Sequence, residues 1–269
     1  MIHIISVHYE DSRWIQIQRR YIDRHIPEPF RMYSFFTNIP GEYRRYFDYC
    51  REVVSRDHAD KLNILADIAI QGGAAPDDLL IFMDGDAFPI GDVLQFCRQR
   101  LAETPLIAVQ RLENLGSPQP HPSFCLTTVG FWQQIQGDWT RGFKWTMTSG
   151  EKVTDVGGNL LRILNESGCR WLPLLRSNRV NLHPLYFGVY AGLIYHHGAG
   201  FRQPFSTVDI ESLSPLWRWY DLHRQDLPRP FNRWTGHQKG VMRRNQQLSD
   251  MVFDQIRADE SFYNQFLQR

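Results

Sequence analysis

Residues 79–90 read LLIFMDGDAFPI. The first five are apolar, a run too short for a helix, and such a run predicts a strand buried on both faces in the middle of a parallel sheet. Two carboxylates, Asp84 and Asp86, follow it directly. Because ligands of open α/β sheets bind beyond the carboxyl ends of the strands, we expect both side chains in a binding site. Gly85 between them would let the backbone approach a ligand closely.

Two carboxylates one residue apart are hard oxygen ligands. They suit a divalent cation that keeps open positions for water and for diphosphate oxygens. An Asp-x-Asp triplet is also common by chance, so a turn with two solvated aspartates is the competing interpretation. The buried strand before Asp84 and the apolar stretch with Pro89 after Asp86 favour the metal site.

Composition indicates an ordinary globular protein. The 269 residues are 42% hydrophobic and 22% charged, with a formal net charge of +1, so charge gives no reason to expect nucleic-acid binding. The four cysteines are scattered without a C-x-x-C pair, which is typical of reduced cysteines in a cytosolic protein. The first residues show no signal peptide, and no apolar stretch approaches the roughly 20 residues that cross a bilayer. We therefore expect a cytoplasmic protein without a transmembrane segment.

The chain before the Asp-x-Asp strand predicts a β-α-β start. A buried strand at 2–7, an amphipathic helix from Trp14 to Tyr21 and a second strand at 32–36 suggest a nucleotide-binding sheet. His8 and Tyr9 then fall on the first ligand-facing loop and are candidates to bind the nucleotide-bearing substrate, called the donor below. The alternative is a loop histidine and a tyrosine at the edge of the core.

A helix is predicted to begin at His58 and to stop at Gly72. Lys61 lies in its first turn, where the positive end of the helix and a lysine together suit a diphosphate. A solvated lysine at this position is the commoner case. We expect Lys61 on the donor side of the site.

Candidate acceptor contacts follow the Asp-x-Asp strand. After a helix at 93–101 and a strand at 106–109, a proline-rich stretch at 116–123 is expected to form a loop, and such loops frequently carry substrate contacts. It contains His121. Trp132 and Trp145 could form a wall on which a sugar stacks, or they could belong to the core.

A helix at 160–164 is preceded by Asp155 and two glycines. An aspartate at a helix start is usually a cap, but the glycines also permit a ligand to approach. Asp155 is therefore the candidate general base or acceptor-binding carboxylate, with Glu151 in reserve.

The stretch 189–195 is expected to run as one strand into His196 and His197. Two histidines at a strand end before glycines are placed like the ligands of an open metal site, although a buried histidine is more often a core residue. Neutral imidazole beside two carboxylates would favour Mn²⁺ over Mg²⁺.

At these motifs the chain resembles the GT-A class of glycosyltransferases, and in two places it is similar to the glycogenin and bacterial galactosyltransferase-like family. That family has an Asp-x-Asp at the end of a buried strand, matched here by Asp84 and Asp86. Its later histidine-glycine-lysine-proline-tryptophan pattern is matched by His197, Gly200, Gln203, Pro204 and Phe205.

The resemblance spans residues 1–205 and implies a nucleotide-sugar-binding catalytic domain. It implies that His197 is the third metal ligand and that Gly200 and Gln203 lie at the diphosphate. Gln203 stands where the family has a lysine, and neighbouring Arg202 could supply that charge. The implied reaction moves a sugar from a nucleoside diphosphate donor, uridine diphosphate by resemblance, to the hydroxyl of a glycan or another acceptor.

Residues 206–269 fall outside the resemblance. Their tryptophans and arginines, broken by prolines, predict an irregular extension packed on the catalytic domain, or alternatively a surface that docks an acceptor or partner. A last helix with Leu248, Met251, Val252 and Ile256 facing inward could cap the fold or make a homodimer contact.

Two other functions stay open. A nucleotidyltransferase on a similar sheet would also bind nucleotide and metal, but it would normally carry a glycine-rich phosphate loop after the first strand, and residues 7–11 offer none. A non-catalytic carbohydrate-binding protein could keep the same fold.

Overall fold

A computed structural model describes residues 1–54, 57–148, 150–201 and 203–268. The strands are β1 (Ile2–Tyr9), β2 (Phe30–Thr37), β3 (Tyr49–Glu52), β4 (Leu79–Asp84), β5 (Ala87–Pro89), β6 (Leu106–Gln110), β7 (Pro120–Thr128), β8 (Trp145–Thr146), β9 (Lys152–Val153), β10 (Leu172–Leu174), β11 (Gly188–Tyr190) and β12 (Ile194–His196). The helices are α1 (Arg13–His25), α2 (His58–Gln71), α3 (Val93–Leu101), α4 (Val129–Gln134), α5 (Gly158–Glu166), α6 (Thr207–Glu211), α7 (Pro215–His223), α8 (Gly236–Ala258) and α9 (Asn264–Leu267), with 3₁₀ turns at Gly41–Tyr46 and Arg224–Asp226.

The central sheet has seven strands in the order β10-β6-β7-β4-β1-β2-β3. Strand β7 pairs antiparallel with both of its neighbours, and the other strand pairs of this sheet are parallel. The expected α/β class, with a mostly parallel central sheet flanked by helices, is confirmed. Strand β4 lies in the middle of the sheet, so the residues that follow it emerge at the centre of the sheet edge.

Strand β4 is buried on both faces, as its continuous apolar sequence predicts. Leu80 and Phe82 face the side covered by α2, α4 and α5. Leu79, Ile81 and Met83 face the side covered by α1 and α3. Because alternate residues of a strand point to opposite faces, both core layers are anchored on this one strand.

The predicted strand at 189–195 is wrong, because this segment forms a hairpin. Ala191 and Gly192 have φ values of 52° and 68° and turn the chain between β11 and β12. Strand β12 then pairs antiparallel with β5 in a second sheet, in a register that places His196 opposite Ala87. The hairpin thus brings a late part of the chain against the residues that follow the Asp-x-Asp motif.

The predicted loop at 116–123 is shorter than expected. Strand β7 begins at Pro120, where a proline needs no ladder hydrogen bond, and the register shifts at a bulge that places His121 opposite Val109.

The C-terminal residues pack on the small sheet. Helix α8 begins with a capping box between Thr235 and Gln238 and is longer than the predicted last helix. Its buried residues Val252, Phe253 and Ile256 join a cluster with Trp14 and Tyr195, so its apolar face is covered by its own chain. Met251 is 43% exposed, so the expectation that it faces inward is wrong. Across the described residues, none of the helices combines the length and apolar composition needed to span a membrane.

We expect Phe82→Ala to lower the free energy of unfolding by about 3–5 kcal/mol, because the fully buried ring packs between Trp132 and Trp139 and its loss leaves a cavity. Phe231 is 64% exposed and provides the matched control. Phe231→Ala should change stability by no more than about 0.5 kcal/mol in the same urea titration. Equal effects of the two substitutions would contradict the buried position of β4.

Candidate functional site

The carboxyl ends of β1 and β4 open into a cleft of about 880 Å³. Its lining comes from the ends of β1, β4 and β6, from the starts of α2 and β7, from the segment before α5, from β12 and its flanking residues, and from the chain between 205 and 234. A cleft of this size is in the range that holds small-molecule ligands. The side chains that the cleft brings together therefore define the candidate site.

Asp84, Asp86 and His196 offer ligand atoms that all lie within 4.8 Å of one another. Nε2 of His196 lies 3.7 Å from Oδ2 of Asp84 and 3.4 Å from Oδ1 of Asp86. The two aspartates come from the end of β4, and the pairing of His196 with Ala87 delivers the imidazole. Two carboxylates and an imidazole are a donor set that fits a divalent transition metal.

Two backbone amides fix the orientation of Asp86. The N–H groups of Gly198 and Gly200 donate to Oδ2 at 3.0 and 3.1 Å. A Cβ at Gly200 would lie 2.8 Å from that same Oδ2, so only glycine permits this approach. Because both amides bind Oδ2, the other oxygen of Asp86, Oδ1, is the one that faces Nε2 of His196.

Gly85 is required for a similar reason. A Cβ there would lie 2.7 Å from the carbonyl oxygen of Val7 and 2.8 Å from Nδ1 of His8. The chain between the two aspartates is therefore packed directly on the end of β1. Gly85 lines the cleft, and the close packing on β1 is what requires a residue without a side chain here.

Imidazoles surround Asp84. Nε2 of His58 lies 3.1 Å from Oδ1, and Nδ1 of His121 lies 3.9 Å from Oδ2. Burial raises the pKa of Asp84, but the hydrogen bond and charge of His58, with the charges of His121 and His196, outweigh it and hold the pKa below its ordinary value. Burial also raises the pKa of Asp86, and His196 likewise brings it below the ordinary value. Both side chains are therefore carboxylates, the form that binds cations.

The expectation that His197 completes the metal group is corrected by the structure, which places His196 there. His197 is fully buried, with Nδ1 3.0 Å from the hydroxyl of Tyr195 and Nε2 2.8 Å from that of Ser249. Its ring packs on Trp14 at 4.6 Å, and burial lowers its pKa to about 3. Consecutive strand residues point to opposite sides, so only one of the two histidines can face the aspartates.

The donor-side candidates separate into two groups. Tyr9 and Lys61 line the cleft, and Nζ of Lys61 donates to the hydroxyl of Thr37 at 2.7 Å. His8 instead is fully buried beneath Gly85, with Nε2 2.9 Å from the hydroxyl of Ser6, and burial lowers its pKa to about 4. The expectation that His8 contacts the donor directly is therefore wrong.

Three donor candidates lie after β12. The N–H of Gly200 donates to Asp86, and Gly200 itself is outside the described lining of the cleft. Gln203 is exposed and also outside that lining. Arg202 lies outside the residues that the structure describes.

Of the expected acceptor contacts, only His121 lines the cleft. Trp132 is buried against Phe82 at 4.7 Å, and Trp145 is buried with Leu161 in a separate cluster. Both tryptophans are core residues, which is the alternative that the sequence left open.

Asp155 lines the cleft, and its carboxylate lies 3.7 Å from Nε of Arg141. Glu151 is exposed on the hairpin between β8 and β9, outside the described lining of the cleft. The structure therefore keeps Asp155 as a candidate and sets Glu151 apart from the site.

Sequence reasoning missed several lining residues. Arg111 follows β6 directly, and its buried guanidinium lies at the cleft, where it shares the carboxylate of Glu113 with Arg176 at 3.5 and 3.8 Å. Its position just after a strand of the central sheet could have identified Arg111 as a candidate, because ligands bind beyond the carboxyl ends of such strands. Asp221 lies on α7, Arg224 begins the 3₁₀ turn that follows it and Trp234 precedes α8, and no local pattern placed them at this cleft.

No protein-family model matches the chain, and no curated protein matches it in sequence. Among solved structures, a mannosyltransferase from Pyrobaculum calidifontis, in complex with GDP-mannose and Mn²⁺, matches 64% of this chain and 54% of its own, at 12% identity and a TM-score of 0.45. This chain thus spans about half the length of that protein.

Two further solved structures are comparably distant. The galactosyltransferase LgtC, in complex with donor and acceptor sugar analogues, matches 61% of this chain and 70% of its own, at 10% identity and a TM-score of 0.36. A protein described as a nucleotide-diphospho-sugar transferase, from Desulfovibrio desulfuricans, matches 93% of this chain and 97% of its own, at 10% identity and a TM-score of 0.44. Because these likenesses are distant, the function has to be argued from the residues of the site.

We expect His196→Gln to weaken Mn²⁺ binding by at least about tenfold in calorimetric titration. Loss of a residue that only hydrogen-bonds to a metal ligand typically costs about tenfold in affinity, and loss of a ligand should cost at least as much. His197→Gln should lower stability but leave Mn²⁺ affinity unchanged, because both nitrogens of His197 are bonded within the core. If His197→Gln, still folded by circular dichroism, weakened Mn²⁺ binding as much as His196→Gln, the assignment of His196 would be wrong.

Proposed function

We propose that this chain is a metal-dependent glycosyltransferase that moves a sugar from a nucleoside diphosphate donor to an acceptor hydroxyl. The observation that carries the proposal is the convergence of Asp84, Asp86 and His196 at the carboxyl end of β4, inside a cleft whose lining also includes Lys61 and Arg111. Such an edge is where α/β sheets bind phosphate-bearing ligands. The three side chains could hold a divalent cation that in turn binds the diphosphate.

Mn²⁺ is the cation we assign, since an imidazole among the ligands favours it over Mg²⁺. When bound, it would neutralise charge on the nucleoside diphosphate leaving group. The chain contributes by preorganisation: the amides of Gly198 and Gly200 hold Asp86, and the imidazole of His58 holds Asp84. Side chains fixed in this way do not have to reorganise during the reaction.

Positive side chains of the cleft would bind the donor. Lys61 and Arg111 line it near the ends of β1 and β6, where they can contact phosphate oxygens. Tyr9, 41% exposed at the end of β1, offers a ring against which a nucleobase could pack. Uridine is the base we assign, on the resemblance of the sequence to galactosyltransferase-like enzymes.

Asp155 would act on the acceptor. In an inverting transfer its carboxylate takes the proton of the acceptor hydroxyl while the oxygen bonds to the anomeric carbon. The bond from that carbon to the diphosphate oxygen breaks, and the nucleoside diphosphate leaves. The N–H of Val156 donates to Oδ1 of Asp155 at 2.8 Å and holds the carboxylate, with Nε of Arg141 3.7 Å away.

Asp86→Asn should abolish Mn²⁺-dependent release of nucleoside diphosphate without unfolding the protein, because it removes a charged ligand at a buried position. Asp77→Asn, at an exposed position, is the matched control and should keep wild-type turnover. A coupled assay for UDP release measures both. Unchanged turnover in Asp86→Asn would sink the metal assignment.

Asp155→Asn tests the proposed base. We expect a loss of about 10²–10⁴-fold in transfer rate, the usual contribution of a general base, with nucleotide binding unchanged. Asp67→Asn on the exposed side of α2 is the control. An unchanged rate would exclude Asp155 as the base and favour a retaining transfer, which does not strictly need a carboxylate base on the acceptor side.

A thermal-shift panel of nucleoside diphosphates and nucleotide sugars, with and without Mn²⁺, identifies the donor, because a ligand that binds only the folded state raises its melting temperature. Stabilisation that needs Mn²⁺ supports the proposal. Release of pyrophosphate in place of nucleoside diphosphate would show a nucleotidyltransferase. No shift with any nucleotide would favour a non-catalytic protein.

A further inference from the structure

A compact group of aromatic and charged side chains from the C-terminal segment lines the same cleft as the metal group. It comprises Phe205, Asp221, Arg224 and Trp234. The reaction outlined above uses none of these residues, and all but Phe205 lie beyond the part of the sequence that resembles a known family. Their role therefore has to be read from their own geometry.

The group is fixed by contacts among its members. The guanidinium carbon of Arg224 lies 3.6 Å from the ring centroid of Trp234, and Phe205 packs against the same indole at 5.1 Å with the rings inclined by 69°. Nε of Arg224 donates to Oδ1 of Asp221 at 3.3 Å. The guanidinium covers one face of the indole, so a ligand would meet the part of the half-buried ring that still lines the cleft.

The backbone next to Trp234 is also held by hydrogen bonds. These bonds fix its position, since Trp234 itself lies between the 3₁₀ turn and α8, outside any helix or strand. The hydroxyl of Tyr220 donates to the carbonyl oxygen of Arg233 at 2.9 Å, next to Trp234 in the chain. The amide of Gln238 donates to Oδ1 of Asp221, and Gln238 itself closes the capping box that starts α8. In the chain, Trp234 thus lies between Arg233, whose carbonyl oxygen is hydrogen-bonded, and the capping box that starts α8.

Asp221 keeps hydrogen-bonding capacity for a ligand. Its side chain is only 6% exposed, and among the described residues both of its hydrogen bonds are made by Oδ1. Burial raises its pKa, against the opposing effect of Arg224. A nearly buried carboxylate with a second oxygen beside a cleft is suited to accept hydrogen bonds from hydroxyl groups.

A sugar ring matches this combination of side chains. It presents an apolar face of C–H groups, which packs on an indole, and a rim of hydroxyls, which donate to a carboxylate and accept from a guanidinium. We infer that Asp221, Arg224 and Trp234 form the acceptor subsite and that the acceptor hydroxyl belongs to a carbohydrate ring. That this site takes the acceptor rests on the proposed glycosyl transfer. That it binds a sugar can be tested by binding alone.

Trp219 provides a matched control on the same segment. It lies on α7, is 53% exposed and stacks on His223 at 5.0 Å, outside the described lining of the cleft. Removing its indole changes the aromatic content of the segment as much as removing that of Trp234 does. The two indoles differ in position, since Trp234 lines the cleft and packs on Arg224 and Phe205 whereas Trp219 is exposed outside it.

The experiment is saturation-transfer difference NMR on the full chain with methyl galactoside, methyl glucoside and methyl mannoside as separate probes. We expect one or more of them to bind the wild-type protein. Trp234→Ala should weaken that binding about tenfold, equivalent to the loss of one good aromatic contact, and Asp221→Asn should weaken it in the same direction. Trp219→Ala should bind as the wild type does.

Mn²⁺-dependent thermal shifts with UDP on the same variants separate the two proposals. Wild-type shifts in Trp234→Ala, together with lost sugar binding, support the inference. Unchanged sugar binding in both folded variants, or no binding of any glycoside to the wild type, would overturn it. Loss of the nucleotide shift in Trp234→Ala would also overturn it, because Trp234 would then contact the donor. A wild-type protein that binds a glycoside but no nucleotide would instead contradict the proposed transfer reaction.

Discussion

The site depends on keeping two carboxylates ionised at the end of a buried strand. Asp84 and Asp86 leave β4 at the centre of the sheet, where burial alone raises the pKa of each. Like charges at this separation repel, so the fold must supply compensation. It does so with the imidazoles of His58, His121 and His196, and with two backbone amides on Asp86. A divalent cation would complete that compensation.

Much of the architecture around β4 serves this arrangement. The β11–β12 hairpin pairs with β5, immediately after the motif, and so sets His196 beside the aspartates. Its next residue, His197, points into the core and bonds Tyr195 and Ser249, which ties the hairpin to α8. One dipeptide thus places a candidate metal ligand on one side and an anchor on the other. Helix α8 is therefore connected to the site through the bond between Ser249 and His197.

Local sequence patterns predicted the parts of the fold that are determined locally. The unbroken apolar run identified β4, and spacing of apolar residues by three and four identified α1 and α2. The Asp-x-Asp pair was predictable because it directly follows a recognisable strand. The choice between His196 and His197 was not, because it depends on the register between β12 and β5, which are about a hundred residues apart in sequence. Trp132 and Trp145 could not be told from ligand contacts, since a buried and an exposed tryptophan look alike in a single sequence. Asp221, Arg224 and Trp234 reach the cleft only through the packing of an irregular segment.

The central claim is that Asp84, Asp86 and His196 together hold the cation that binds the donor diphosphate. Anomalous diffraction at the manganese absorption edge, from crystals grown with Mn²⁺ and UDP, measures this directly. The account predicts one strong peak bonded to both carboxylates and to Nε2 of His196, with diphosphate oxygens completing its coordination. A peak bonded to His197, or UDP bound in the cleft without Mn²⁺ at these three residues, would contradict it.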